Sequence, residues 1–128
     1  MKLIHVKNKK YEDDGGFRVS MTKEGVFSFS RKTTSEFIKN HEKMKLYKDE
    51  EEPSSWFLQF HKDGDLIIRK SKSNAFFSSK NLSTQIKISN NYKKDDLVKA
   101  VIGKLLKDEE SELEVYPLLI KKAEKTID

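Results

Sequence analysis

The stretch Asp95-Asp96-Leu97-Val98-Lys99-Ala100-Val101-Ile102-Gly103-Lys104-Leu105-Leu106-Lys107 decides how the rest of this chain is read. Its apolar residues Leu97, Val98, Val101, Ile102, Leu105 and Leu106 recur at i, i+3, i+4 spacing, which aligns them along one side of a helix. Asp95 and Asp96 stand at the end that would carry the positive pole of the helix dipole, and Lys104 and Lys107 at the negative end. The spacing predicts an amphipathic helix over 95–107. Gly103 inside it costs about 1 kcal/mol against Ala, so it either permits close packing or is an unoptimised position.

Working back from this helix, the chain carries an internal echo. Phe29-Ser30-x-Lys32-x-x-Ser35-x-x-Ile38-Lys39 returns as Phe77-Ser78-x-Lys80-x-x-Ser83-x-x-Ile86-Lys87. Each copy reads as an aromatic strand running into a short helix, with a Ser able to cap the first turn by accepting a bond from an orphan amide. The first helix is expected from Ser30 to about Asn40, with Phe37 and Ile38 inward. The second is short and carries Leu82 and Ile86.

Strands fill the intervals. Residues 2–7 alternate weakly and suggest a first strand. Phe17, Val19 and Met21 alternate with Arg18, Ser20 and Thr22, and Gly25 can take the positive φ that returns the chain through Val26 to Phe29, so 17–29 reads as a hairpin. Met44 to Lys48 suggests a further strand. Trp56, Leu58 and Phe60, the turn Lys62-Asp63-Gly64-Asp65, and Leu66 to Lys70 read as a second hairpin. Leu113, Val115 and Pro117 to Ile120 suggest a last strand, held to a sheet edge by Pro117. The fold class expected is α+β: two antiparallel hairpin or sheet-plus-helix repeats packed together, with a longer amphipathic helix near the C-terminus. Residues 1–120 form one domain and 121–128 a flexible tail.

Composition bounds the function classes. The 128 residues include 26 Lys and Arg against 21 Asp and Glu, a formal net charge of +5, and eight Phe, four Tyr and one Trp among only 35% hydrophobic residues. Those rings supply the buried area that disordered chains lack. The absence of Cys excludes disulfides and thiolate metal sites and fits a reducing compartment, so the cytoplasm is expected. His5, His41 and His61 have no ligand-spaced partners, so no metal is expected there. The loop Asp49-Glu50-Glu51-Glu52 reads as solvated, with hard-cation binding the lesser alternative. No nucleotide-loop, dinucleotide or nucleophile-elbow motif occurs, so neither an enzyme activity nor a cofactor is expected.

What remains is a basic chain with aromatics interleaved on strands. Arg18 and Lys23 lie on the first hairpin, Lys32 follows it, Phe57, Lys62, Arg69, Lys70 and Lys72 belong to or follow the second, and Phe76 is a candidate exposed ring. Bases of single-stranded nucleic acid stack on such rings while cations track phosphates. Trp56, Leu58, Phe60, Phe27 and Phe29 are expected in the core.

Together the hairpins, the Gly25-Val26-Phe27-x-Phe29-Ser30 strand-to-helix turn, the Glu52-Pro53-x-x-Trp56-Phe57 to Gly64-x-Leu66-x-x-Arg69 segment and the echo resemble the Whirly and Pur-alpha group of single-stranded nucleic-acid-binding folds, including small Whirly-like proteins of bacteria. The resemblance spans about residues 17–107. It implies two sheet-plus-helix repeats that bind single-stranded DNA or RNA along sheet edges and faces; the reading expected is binding without chemistry, in a possible homodimer, and with no membrane, since no apolar run approaches the roughly twenty residues that a membrane helix needs. Alternatives are a protein-interaction or phage accessory domain, and a swapped-hairpin regulator of duplex DNA.

Overall fold

Period-two burial governs nearly every element of the chain. The structure is a computed structural model that describes residues 1–5, 16–38, 41–71 and 74–123. Its strands are β1 (Arg18–Met21), β2 (Val26–Phe29), β3 (Lys43–Lys48), β4 (Trp56–Phe60), β5 (Leu66–Ile67), β6 (Arg69–Lys70), β7 (Ala75–Ser78), β8 (Val98–Ile102), β9 (Leu106–Lys107) and β10 (Glu114–Leu119). Two short helical segments interrupt them. α1 (Arg31–Thr33) continues as a π-helical turn over Thr34–Ile38, and α2 spans Lys80–Ser89.

All strand pairs are antiparallel, in the order β5-β3-β4-β10-β8-β1-β2-β7-β6, with β9 attached to β10. The two ends of this path, β5 and β6, are halves of one extended run interrupted only at buried Ile68. Leu66 and Ile67 pair with β3 while Arg69 and Lys70 pair with β7, so one segment joins both margins and the sheet curls into a near-closed barrel of eight staves. A barrel of about eight strands is just wide enough for side chains to fill. Val19, Met21, Phe27, Phe29, Met44, Leu58, Ala75, Phe77, Val98, Ala100 and Ile102 fill it, each at most 3% exposed.

The two copies of the echo pair with each other. β2 lies against β7 with Phe27 opposite Phe77, their rings stacked 4.4 Å apart. Because the strands run in opposite directions, the helix after each one leaves at the opposite end of the barrel. At one end the segment after β2 buries Ile38 and seats Phe37 against Phe17 (4.5 Å) and Tyr116 (4.8 Å), with Phe60 6.2 Å away. At the other, α2 buries Ile86, and its Ser89 hydroxyl accepts a 2.9 Å bond from Trp56 Nε1. Ser30 caps α1 as expected, accepting from the Thr33 amide. The second cap is Ser79, not the Ser78 that the echo aligns with Ser30.

The α+β expectation is therefore overturned, chiefly at 95–107. That stretch is β8 and β9, not a helix. Its buried residues are Val98, Ala100 and Ile102, spaced by two, whereas Leu97, Leu105 and Leu106, needed for a helical stripe, are exposed. β8 completes two ladders, with β1 and β10, which a helix could not do. Gly103 does permit close packing, but of strands: its amide donates to the Pro117 carbonyl at 2.9 Å, and a Cβ there would lie 2.7 Å from the Pro117 ring.

Other boundaries shift for related reasons. The segment 56–70 is not a hairpin: β4 and β5 flank β3 on opposite sides. The connection crosses the end of β3 so tightly that a Cβ on Gly64 would overlap the Met44 carbonyl. β10 is no edge strand, since it pairs with β4, β8 and β9. Pro117 is tolerated because its carbonyl faces Gly103, and a strand residue's N and C=O point the same way. Its missing donor therefore falls opposite Gly103, at the end of the Leu118↔Ile102, Leu119↔Val101 ladder, where the Gly103 amide still supplies a bond to the Pro117 carbonyl. Of the expected first strand, residues 2–5 lie outside the sheet and the remainder falls outside the described residues. So do Asn40 at the expected end of the first helix and residues 124–128 of the expected tail. Lys121 and Ala123 are tied to the body through Tyr92 Oη and the Asn90 carbonyl.

One buried ionisable group joins these parts. Lys87 on α2 is 0% exposed, and its Nζ donates to the carbonyls of Thr22 (2.7 Å) and Lys94 (3.0 Å). Burial pushes its pKa below the ordinary lysine value of 10.5, opposed by the charges of Asp96, Asp95 and Glu24. The fold thus disfavours the ammonium, and that penalty fades as pH rises from the folded pKa toward 10.5, where only the unfolded chain still holds the proton. The stability of the wild type relative to Lys87→Met should climb over that alkaline window in denaturant titrations. A flat difference would show that Lys87 titrates alike in both states. Gly25 has φ +82°, and a Cβ there would sit 2.7 Å from Lys80 Cα, so Gly25→Ala should lower stability by about 1–3 kcal/mol, read from the unfolding midpoint.

Candidate nucleic-acid interface

The barrel wall is far more basic than the chain. Its strands carry Arg18, Lys43, Lys45, Lys48, Arg69, Lys70, Lys99 and Lys107, but only one carboxylate, Glu114. The remaining described carboxylates sit in turns, loops and the π-helical turn. Period-two alternation explains why the wall can be charged: inward positions are fixed by the core, which leaves every outward position free.

The register aligns one set of outward residues. Arg69 on β6 lies opposite Phe76 on β7, Phe76 opposite Ser28 on β2, Ser28 opposite Ser20 on β1, and Ser20 opposite Lys99 on β8. Arg69 and Lys99 are exposed and Phe76 is half-buried. The row crosses five staves, and four inter-strand steps of about 4.8 Å give it a length of roughly 19 Å. A cation stands at each end, a ring near one of them, and two small hydroxyl side chains between. Nothing bulky between the ring and Lys99 rises above the wall along this row.

The other expected site residues are dispersed. Phe57 is half-buried on β4, three staves from Phe76, opposite Tyr47 and Pro117. Lys62 lies in the turn after β4. Lys32 is turned onto the Phe17 ring, 4.8 Å from Nζ to centroid, and its stem covers Gly16. Arg18 is half-buried beside the first cap, where its amide donates to Ser30 Oγ and Thr33 Oγ1. Lys70 is exposed next to Arg69, at the mouth of the row. Lys72 lies outside the described residues. Phe77, the neighbour of Phe76 on β7, is 3% exposed in the core.

Lys23 belongs elsewhere. It sits in the β1–β2 turn and lines a cleft of about 360 Å³ with Lys80, Asn81, Ser83 and Thr84 of α2 and Lys94 and Asp95 of the loop before β8. A second cleft of about 430 Å³ lies beside β10, between Trp56, Phe57 and the chain from Pro117 to Lys122. Sequence reasoning missed Lys99, Ser20 and Ser28 in the row and Lys80 and Lys94 in the first cleft. Lys99 was hidden by the helical reading of 95–107. Ser20 and Ser28 were legible as outward positions of the first hairpin, but which residues stood beside them required the pairing of β2 with β7.

In the acidic loop the carboxylates serve turns: Asp49 Oδ1 accepts from the Glu51 amide at 2.9 Å, and Glu52 Oε2 from Ser55 Oγ at 3.3 Å. No cluster of three or more His, Asp or Glu able to hold a metal occurs among the described residues. Nor is any helix among them long and apolar enough to cross a membrane. Set beside known proteins, the chain matches no protein-family model, no curated protein and no solved structure.

Proposed function

We infer that this protein binds single-stranded DNA or RNA, without chemistry, along the outer wall of β6, β7, β2, β1 and β8. The observation that carries the reading is the row Arg69, Phe76, Ser28, Ser20, Lys99, which sets a stacking ring and two terminal cations on one continuous surface. A base stacked on Phe76 contributes about 1–3 kcal/mol irrespective of its identity, and cations flanking the ring hold the adjacent phosphates. The small Ser side chains let the backbone of the strand approach the wall. The excess of Lys over Arg suits phosphate tracking rather than forked readout of base edges, so the binding is sequence-tolerant.

Fluorescence anisotropy of labelled single-stranded and duplex oligonucleotides tests this at low and physiological salt. The single strand should be preferred and remain bound at physiological salt. Arg69→Glu with Lys99→Glu should weaken binding and flatten its salt dependence, each lost phosphate contact removing about 0.7 from the slope. Phe76→Ala should cost about 1–3 kcal/mol of affinity with little change in slope. Phe57→Ala, three staves away, should leave affinity unchanged. Weak binding to both forms that vanishes with salt would sink the reading.

A further inference from the structure

We propose that the cleft between the β1–β2 turn, the first turn of α2 and the loop before β8 is a binding site for a phosphate monoester. The proposal goes beyond the strand-binding wall, because the cleft lies past the row, at the end of the barrel that α2 closes.

Three elements each bring an ammonium group: Lys23 from the turn, Lys80 from α2 and Lys94 from the loop. Among the described residues Asp95 is the one carboxylate lining the cleft, and Glu24, 4.0 Å from Lys23 Nζ, stands beside the cleft, so the described lining keeps an excess of positive charge. α2 is ten residues long and begins here. Ser79 Oγ accepts from the Leu82 amide and the Ser79 carbonyl from the Ser83 amide, while the amides of Lys80 and Asn81 have no acceptor among the described residues. Free amides at the positive end of a helix dipole favour an anion.

Ser83 points to a ligand independently. It is 2% exposed, it lines the cleft, and its hydroxyl has no hydrogen-bond partner among the described residues. A helical serine with nothing else to bond normally turns its hydroxyl back to a carbonyl of the preceding turn. Ser89 on the same helix does so, reaching the Ile86 carbonyl at 2.9 Å. Ser83 makes no such bond, its hydroxyl is not among the fully enclosed unpaired atoms, and the cleft that the residue lines, one turn in from the two amides, is where that hydroxyl meets solvent.

Lys87 holds the three walls together. From α2 its Nζ bonds the Thr22 carbonyl, next to Lys23, and the carbonyl of Lys94 itself. It is a positioning residue, fixing the distance between walls. Gly25 lines the cleft without a side chain, which lets the turn approach the first turn of α2. A phosphate monoester carries about −1.5 to −2 charge at neutral pH and three strong acceptor oxygens, which suits three ammonium groups, two amides and one hydroxyl. The phosphate can be a small phosphomonoester or the terminal phosphate of a nucleic-acid strand.

The test is a titration of the isotope-labelled protein with inorganic phosphate, at constant ionic strength set by chloride, followed by amide chemical shifts. Saturable shifts centred on Lys80, Asn81, Ser83 and Thr84 are expected. Ser83→Ala, which breaks no hydrogen bond of the fold, should weaken them roughly tenfold, and Lys94→Gln should do at least as much. Shifts that fail to saturate, spread over all surface lysines, or persist unchanged in Ser83→Ala would overturn the site. A second arm compares 5′-phosphorylated and hydroxyl-ended oligonucleotides by anisotropy. A preference for the phosphorylated strand that disappears in Lys94→Gln would identify a strand terminus as the source. Equal affinities, with the phosphate titration intact, would identify a small phosphomonoester. Loss of oligonucleotide binding with the phosphate site intact would refute the strand-binding wall and leave this site standing.

Discussion

The antiparallel pairing of β2 with β7 is the constraint on which the rest of the molecule depends. Each strand ends in a serine-capped helical turn, and pairing them head to tail sends those turns to opposite ends of the barrel. An eight-stave barrel has two open mouths, and each would expose core to water if nothing covered it. One copy of the echo closes the Phe17, Phe37, Phe60 and Tyr116 mouth, and the other closes the mouth beside Trp56. The stacked rings of Phe27 and Phe77 lie on the shared ladder, so the contact that joins the two copies also fills the barrel.

A buried lysine is a costly way to fasten a helix to a barrel, because its ammonium must leave water. Lys87 is accommodated because two carbonyls receive it and because Asp96, Asp95 and Glu24 oppose the loss of its charge. A leucine could fill the same space without that penalty, but it could not register the β1–β2 turn against the loop before β8. The bonds to Thr22 and Lys94 fix that register, and with it the spacing of Lys23 and Lys94 across the cleft. Directionality is what the charged group contributes beyond burial.

How far the sequence exposed this architecture depended on the range of the interactions involved. The first hairpin, the β3 strand, the Ser30 cap and the burial of Trp56, Leu58, Phe27 and Phe29 were legible, because alternation, a Gly turn and a capping hydroxyl act within a few residues. Residues 95–107 were not, because Leu97, Val98, Val101, Ile102, Leu105 and Leu106 satisfy the helical period by coincidence. Only the ladders to β1 and β10, respectively about eighty and about fifteen residues away, select the strand. Pro117 misled for a similar reason: the proline rule argues for an edge, but Gly103 on the neighbouring stave supplies room that no local reading reveals. The candidate interface inherited these errors. Local pattern marks Arg69, Phe76 and Phe57 alike, yet Arg69 and Phe76 meet across β6 and β7 while Phe57 lies on another wall. Sequence spacing marks which face of a strand a residue occupies but not which strands become neighbours.

Solubility alone does not select the sign of the charge on the wall. Outward positions must be polar enough to stay in water, yet carboxylates would serve solubility as well as lysines do, and this chain has 21 of them. Among the described residues they are instead placed in turns, in loops and on the π-helical turn, where Asp49 and Glu52 accept local hydrogen bonds, and the strands retain a single carboxylate, Glu114. The two kinds of charge are thus separated by structural element. Separation of this kind adds like-charge repulsion between neighbouring staves, a cost that mixed charges would avoid. A polyanion lying along the wall, as in the strand binding proposed above, would relieve that repulsion.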